Sequence, residues 1–475
     1  MRRLFFFSFT LLIAYQGVTQ QTWTLQKAVG YAVQNNITVK QATAQAKQAN
    51  ITFTQAKNTL LPTLQTSFQS GYQRGLNENP TTGTLQSASF VTGNIGVQSG
   101  YTLFNWGARR KNIEAAELNY QASKVGIEKA QNDISLLVAN AYLQVMLRME
   151  QVKINDAAVK LSLAQLNNTR KLVDAGSQPE LNALQSEAQL AKDSSALLTS
   201  QSLVQEGLIT LKSYLNLDIA EPFIIDAPNV EDISVENLAD LQPDYVYQLA
   251  VASQPFQRQL GFQIDAGKKQ IAAARSAMYP TATAFVGLNS RFINAKSPFV
   301  AGLATNQPTG AFILDNGGNK TFVLSDRPVF AQRSVGLSRQ LNNNFGQNVG
   351  VSLLFPIFNN GNLRAQWDRA KVDLELTRLQ DEQEKLTLKS NIYTAYQQAY
   401  ASQQTYQASS RTAAANKRAL ELSTKRFDIG LLGSLDYIIT QNNYTTAQIQ
   451  EVSNRYDFIF KMKVLEFYKG NGIKL

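Results

Sequence analysis

The stretch Gly350-Val-Ser-Leu-Leu-Phe-Pro-Ile-Phe-Asn-Asn-Gly-Asn-Leu-Arg364 decides the fold, and a matching stretch, Gly96-Val-Gln-Ser-Gly-Tyr-Thr-Leu-Phe-Asn-Trp-Gly-Ala-Arg-Arg110, lies 254 residues earlier. In both, an apolar alternation of period two stops at Asn-x-Gly and a long helical period follows. This change of period predicts a strand that continues directly into a helix, with glycine permitting the turn and asparagine as a candidate N-cap. The predicted strand-to-helix junctions are Phe104, Asn105 and Gly107, and Phe358, Asn359 and Gly361.

The start of the chain has the pattern of a secretory signal peptide. Two arginines precede an apolar run from Leu4 to Ala14, and small residues follow, so we assign residues 1–19 to the signal. No later run has the roughly eighteen apolar residues of a membrane helix. The mature chain is therefore predicted to be exported, and any membrane insertion must use strands.

The amino-acid composition argues against most kinds of catalytic and metal site. The chain contains neither cysteine nor histidine, which excludes disulfides, Cys–His and Ser–His nucleophiles and ordinary zinc sites. The net charge of +10 is not concentrated in a dense basic run with interleaved aromatics, so nucleic acid is not an expected partner. We predict that the protein is not an enzyme and uses no cofactor or metal.

Two predicted β-hairpins separate the helical segments. The first spans about 62–104, after a helical pattern over residues 22–58, with a polar loop to about residue 92. The second spans about 280–358 and contains a long loop, about 290–345, to which we assign no function. In the first hairpin apolar residues alternate with Gln, Ser and Asn, which fits a sheet with lipid on one face and water on the other. Each strand alone also fits a soluble sandwich.

The long helical patterns repeat in register. The first runs from Trp106 to about Val173, breaks, and resumes from Glu180 to about Leu217. The second has neither glycine nor proline between Gly361 and Gly430, and could extend about 100 Å. The chain is therefore predicted to be a duplication: a first repeat 20–217, a linker 218–243 and a second repeat 244–475.

Four strands cannot close a barrel, and open edges are not tolerated in lipid. The predicted barrel must be shared, most simply by two or three chains around one axis. Helices that continue from its strands would form a hollow tube, and such an object is a conduit.

The hairpins, the Phe-Asn-x-Gly junctions and the Asp-x-Gly breaks together resemble the TolC-type outer-membrane efflux protein family, over essentially the whole mature chain. The resemblance implies a homotrimer with a twelve-stranded outer-membrane β-barrel continued by a long periplasmic α-helical barrel, in an α+β membrane protein. It also implies docking to a periplasmic adaptor (membrane fusion) protein and, through it, an inner-membrane transporter. The expected location is the outer membrane, with a large periplasmic portion.

The candidate sites lie at the two helix breaks. Either the glycines there simply end a helix in the left-handed conformation, or the breaks form the periplasmic tip that docks an adaptor. The proposed docking residues are Gly176, Ser177, Gly430, Leu431, Gly433 and Ser434. The residues assigned to the pore mouth or gate are Asn182, Phe427, Leu432 and Asp436.

Three of the four mouth positions depart from the family's pattern. Asn182 occupies the position of the family's first aspartate, whereas Asp436 retains the second. The tyrosine and arginine of the family's closed mouth correspond to Phe427 and Leu432, so apolar groups replace two polar latch groups. Trp106 is either an interfacial anchor or a packing residue.

Two other functions are alternatives to the channel. A periplasmic coiled-coil adaptor or scaffold would share the long helical hairpins, but it should carry compact Gly-rich β modules instead of amphipathic strands inserted twice between helices. An enzyme is disfavoured by the absence of histidine and cysteine. The leading prediction is an exit duct that passively conducts substrates from periplasm to exterior.

Overall fold

The computed structural model describes residues 22–78, 85–226, 233–294 and 296–470, and the predicted signal peptide lies outside them. The first half contains α1 (Leu25–Asn35), α2 (Ile37–Asn58), β1 (Thr63–Glu78), β2 (Leu85–Phe104), α3 (Ala108–Asp174) and α4 (Glu180–Leu215). The second half contains α5 (Pro243–Ser253), α6 (Pro255–Ser276), β3 (Thr281–Ile293), β4 (Lys296–Leu314), β5 (Lys320–Ser334), α7 (Leu337–Asn343), β6 (Gly346–Leu354), α8 (Asn362–Asp428) and α9 (Ser434–Lys469).

The chain divides into two compact units, and both draw on the two sequence repeats. The first unit comprises Met1–Thr52, Ala116–Gly267 and Val372–Leu475. The second comprises Phe53–Ala115 and Lys268–Lys371. Because each unit combines segments from both halves, the sequence repeats describe the duplication but are not themselves the compact units.

A four-stranded antiparallel sheet in the order β1-β2-β3-β6 occupies the second unit. Residues opposite one another in the ladders lie on the same face. Phe68 pairs with Ile95, Val97 pairs with Leu288, and Val286 pairs with Val349, so one apolar face runs across all four strands. All six side chains are exposed in the single chain, from 37% for Ile95 and Val97 to 81% for Val349. The predicted two-faced strands are therefore confirmed.

The sequence interpretation was wrong about the loops of both hairpins. Strand β2 begins at Leu85 and not near residue 92, since Leu85–Val91 pairs in register with β1. This segment shows little alternation of apolar and polar residues, so the sequence pattern did not identify it as a strand. The predicted loop 290–345 instead holds the end of β3, the paired strands β4 and β5, and α7. Register shifts within β4 break its period of two, which hid this strand from pattern reading.

The helices confirm the repeated register. Helices α3 and α8 each have 67 residues, and α4 and α9 each have 36. The first predicted helix, 22–58, is in fact two helices separated at Asn36. There the Asn36 side chain accepts from the Thr38 N–H (2.8 Å) and donates to the Tyr214 carbonyl (2.8 Å), which fixes the break.

No helix in the described part of the chain is both long and apolar enough to cross a membrane.

The segment between the repeats is held in place by buried side chains of the first unit. Lys212 on α4 donates to the carbonyls of Ile219 (2.9 Å) and Glu221. On α9, the buried Lys463 donates to the Ser234 carbonyl (2.7 Å) and to Glu466 (2.9 Å). A buried charge is tolerated where it is paired and hydrogen-bonded, as here. The linker is therefore tied to the last turns of α4 and α9.

Tyr142 connects the N-terminal segment to the same linker. Its ring is fully buried, and its hydroxyl donates to the carbonyls of Trp23 (2.9 Å) and Asp226. Trp23 also forms a parallel bridge with Ile225. Burial, with a smaller contribution from Asp226, raises the pKa of the Tyr142 phenol above its ordinary value.

Tyr142→Phe is expected to lower the free energy of unfolding by about 1–3 kcal/mol, because two partly buried carbonyls lose the hydroxyl proton that they share. The raised pKa means that the folded state favours the neutral phenol, so the hydroxyl's stabilisation is full below about pH 10 and declines as the pH rises further. The gap between wild type and variant should thus narrow above that pH. Thermal unfolding followed by circular dichroism measures both effects.

Tyr400→Phe is the matched control, since Tyr400 is exposed on α8. It should leave the unfolding temperature unchanged. Equal effects of the two substitutions would contradict the role given to the Tyr142 hydroxyl.

Candidate functional site

Both helix breaks in the first unit are built from the same backbone turn. Gly176 and Gly430 have φ of 68° and 75°, the left-handed region that favours glycine. The Ser177 N–H donates five residues back to the Leu172 carbonyl (2.9 Å), and the Leu431 N–H makes the equivalent bond at 2.8 Å. These are Schellman ends, which satisfy carbonyls that the last helical turn leaves free. The two glycines therefore end their helices in the left-handed conformation.

The turns also present exposed apolar side chains. Leu431 is 66% exposed and Ile429 is 69% exposed, and both directly flank Gly430. Leu181 and Leu435 are exposed at equivalent positions, in the first turns of α4 and α9. Gly433 is exposed, whereas Ser434 is only 2% exposed and its hydroxyl has no partner. Ser434 therefore faces the interior, and the exposed surface at the breaks combines these apolar side chains with charged ones.

The residues assigned to the pore mouth do not share one environment. Asp436 is exposed in the first turn of α9, and Leu432 is half-buried. Asn182 is half-buried and donates to the Gln178 side chain (3.3 Å). Phe427 is only 2% exposed, so its ring packs inside the single chain.

Phe427 packs on Tyr437, with ring centroids 5.0 Å apart. This contact joins the end of α8 to the start of α9, on either side of the break. Burial raises the pKa of the Tyr437 phenol, a hydrogen bond with Thr424 lowers it, and Asp428 raises it. The aromatic pair therefore stabilises the second break by packing between the end of α8 and the start of α9.

The strand-to-helix junctions lie in the second unit, and each contains two successive left-handed residues. These are Trp106 (φ 55°) with Gly107 (φ 76°), and Asn360 (φ 57°) with Gly361 (φ 76°). Glycine was expected to allow the turn, but the preceding non-glycine residue was not expected to share it. A positive φ is uncommon for a bulky side chain. The Trp106 ring contacts Phe104 and Tyr279, with centroids 5.2 and 5.1 Å apart, which helps hold this conformation.

The two junction asparagines cap their helices differently. The Asn359 side chain accepts from the Leu363 N–H (3.4 Å) in the first turn of α8. Asn105 accepts from the Ala108 N–H through its backbone carbonyl (3.0 Å). Phe358 is largely exposed. The predicted side-chain cap is therefore seen at Asn359, while both asparagines form the turn that precedes a helix.

A buried polar layer in the first unit was missed by sequence reasoning. Asp193 on α4 accepts from Ser162 on α3 and from Gln189 (2.8 Å). Gln189 exchanges two hydrogen bonds with Asn442 on α9 (2.9 and 3.1 Å), and Gln441 donates to Ser162 (2.9 Å). A polar network of this kind can fix which helices pair and in what register. Its residues look like a solvated helix face in the sequence.

Among the described residues, no group of three or more acidic side chains is placed to hold a metal ion. What the breaks offer is an exposed surface that combines apolar side chains with carboxylates: Asp174 and Glu180 at the first break, and Asp428 and Asp436 at the second. Such a surface suits binding to another protein.

Solved outer-membrane channels share this fold. The Campylobacter jejuni CmeC outer membrane channel superposes with a TM-score of 0.74 at 16% identity, covering 95% of this chain and 86% of that one. The Vibrio cholerae outer membrane protein VceC gives a TM-score of 0.73 at 16% identity, with coverage of 95% and 97%. The fold is therefore that of the outer-membrane channels, as predicted.

The sequence comparisons identify the family. A sequence model of the outer membrane efflux protein family matches residues 28–217 and 329–461, and the chain belongs to that family. The "Pyoverdine export outer membrane protein OpmQ" of Pseudomonas aeruginosa is 24% identical over 422 residues, covering 83% of this chain and 74% of that protein.

These findings confirm the predicted family, fold class, outer-membrane location and channel function. They favour the channel over the coiled-coil adaptor that was the alternative. Family and fold are those of channel proteins and not of enzymes.

Phe427→Ala is expected to destabilise the second break by about 3–5 kcal/mol, the usual cost of deleting a buried aromatic ring. The change should appear as faster hydrogen exchange in peptides that cover residues 420–440. Ile429→Ala, which removes an exposed side chain two residues away, should change exchange by no more than about 0.5 kcal/mol. Similar exchange in the two variants would show that the ring does not hold the break.

Proposed function

We propose that this chain is the exit duct of a tripartite export complex, in which three copies form one channel that passively conducts substrates from the periplasm to the exterior. The observation that carries the proposal is the four-stranded sheet of this chain, which belongs to the outer membrane efflux protein family. The edge strands of that sheet, β1 and β6, have no outer partner among the described residues. In hydrocarbon, each unpaired backbone group costs several kcal/mol.

Three copies supply the missing partners. If β1 of one chain pairs with β6 of the next, three four-stranded sheets close into a barrel of twelve strands, and no edge remains in lipid. The apolar face that crosses all four strands then meets outer-membrane lipid. Four strands alone fall short of the eight that a small barrel needs.

A periplasmic adaptor docks at the helix breaks, and an inner-membrane transporter supplies the substrate through it. Support comes from the exposed leucines at equivalent positions of the two repeats, Leu181 and Leu435, and from Leu431 beside Gly430. An amphipathic helical hairpin recognises such a surface through its apolar face. Gly176, Ser177, Gly430, Leu431 and Gly433 form this docking site, and the buried Ser434 supports it from inside.

Gly430→Trp is expected to abolish export while leaving expression and trimer formation intact. A Cβ added at Gly430 meets no atom within 4 Å, so the indole would project into the space that the adaptor occupies. Export is measured in cells that lack the chromosomal copy, as accumulation of a fluorescent efflux substrate.

Gly430→Ala is the matched control. It carries the same left-handed strain, about 1–2 kcal/mol, without the bulk. It should retain most of the export activity. Normal export by the tryptophan variant would show that docking occurs elsewhere.

The pore mouth contains a single ring of carboxylates. Three copies place three Asp436 side chains around the axis, whereas the equivalent position of the first repeat, Asn182, carries no charge. Like charges around a narrow opening focus their field and raise the local cation concentration. Leu432 lies between this ring and the Gly430 break. Phe427 supports the mouth by packing beneath it.

Asp436→Asn is expected to remove block of the channel by a trivalent cation added from the periplasmic side, since the ring loses its charge. In the wild type the block should be modest, and weaker at high salt because of screening. Single-channel conductance in planar bilayers measures it. Asn182→Asp, which adds a second ring, should strengthen the block. An unchanged block in Asp436→Asn would place this residue outside the pore, and a chain that conducts no ions would contradict the duct itself.

A further inference from the structure

The hairpin formed by β4 and β5 has no role in the channel described so far. It is long, with 19 and 15 residues in its strands, and it forms a sheet of its own. An isolated two-stranded hairpin is marginally stable in water. Something must therefore cover part of this one.

One face of the hairpin is strongly apolar. All register shifts fall in β4, so alternate residues of β5 point to one side without interruption. On that side Phe322, Leu324 and Phe330 of β5 lie opposite residues of β4 that are also large and apolar or proline. These partners are Phe312, Pro308 and Val300. The same alternation also places Lys320 and Asp326 on this side, where the Asp326 carboxylate accepts from the Asn306 N–H (3.1 Å). Leu324 and Phe330 are 52% and 63% exposed, so the described part of the chain leaves this face uncovered.

The other face is mixed and positively charged. It carries Thr321, Ser325, Arg327 and Arg333, interspersed with a few apolar residues. Both arginines point away from the apolar face, because they occupy the alternate positions of β5. The face of Phe322, Leu324 and Phe330 therefore carries more of the large apolar side chains, and the face of the two arginines suits water better.

The base of the hairpin is fixed next to the edge of the sheet. The Ser290 hydroxyl on β3 donates to the Leu341 carbonyl of α7 (2.7 Å), and the Ile293 N–H donates to the Gln340 side chain (2.8 Å). Asn344 donates to the Arg291 carbonyl (2.8 Å). These bonds hold α7 on the end of β3, and the chain then enters β6, the edge strand. The hairpin thus begins beside the seam where a neighbouring chain joins the barrel.

We propose that the apolar face of the β4–β5 hairpin packs against the hairpins of the other two copies, so that three hairpins form a collar at the end of the barrel. The inference rests on the proposed trimer and continues its interface outward from β6. Lipid is the less suitable occupant, because both outer edges of the hairpin carry unpaired backbone groups that hydrocarbon cannot satisfy. In the collar, the apolar faces cover one another while the edges and the arginines stay in water.

The chain contains no cysteine, so single cysteines give an unambiguous test. Leu303→Cys, Leu324→Cys and Phe330→Cys place a thiol on the apolar face. Thr321→Cys, Ser325→Cys and Arg327→Cys place it on the opposite face of the same hairpin. Each purified variant is treated with a short bifunctional thiol reagent, and covalent dimers are measured after denaturation. At least two of the three apolar-face variants should give several-fold more dimer than every opposite-face variant.

Equal cross-linking from the two faces, or none from the apolar face, would overturn the collar. So would cross-links that join separate particles, as seen by mass in detergent. In vesicles, a bimane fluorophore at position 324 should be shielded from lipids that carry a quenching doxyl group, and strong quenching would identify lipid as the occupant. The mass of the uncross-linked particle tests the trimer separately: three copies without cross-links defeat only the collar, and a monomer defeats the assembly.

Discussion

The structure depends on where the backbone of its sheet finds hydrogen-bond partners. Strands β1 and β6 each leave one edge open within the described chain, and lipid offers no partner for an N–H or a carbonyl. A sheet that meets lipid on one face must therefore be completed by other chains before it is stable in a membrane. Oligomerisation in this family is thus a requirement of the fold and not a later addition to it.

The two repeats keep the same register from the strand-to-helix junction to the last long helix. Two sets of equally long helices, 67 and 36 residues, follow the two hairpins, so the breaks at Gly176 and Gly430 occur at equivalent points. The docking partner proposed above would then meet similar turns from both repeats. The repeats differ in the side chains at some equivalent positions, such as the neutral Asn182 and the charged Asp436.

Much of this architecture could be predicted from local sequence signals, whereas features that depend on long-range packing could not. Asn-x-Gly and Asp-x-Gly mark the junctions and breaks because glycine alone enters the left-handed region at little cost. The left-handed Trp106 could not be foreseen, since its conformation is held by contacts with Phe104 and Tyr279. Nor could the burial of Phe427 or the polar layer around Asp193, because a polar helix face looks the same whether water or another helix covers it.

The β4–β5 hairpin shows that the costly part of an incomplete sheet depends on whether lipid or water surrounds it. Inside the membrane an open edge is the costly feature, and pairing between chains removes it. In water the edges are solvated, and the exposed apolar face becomes the costly feature instead. Because only the second repeat carries this insertion, a trimer has three such hairpins and not six. Three similar faces around one axis can each meet a neighbour, so in the proposed trimer the symmetry that closes the barrel would also supply the cover for the hairpin.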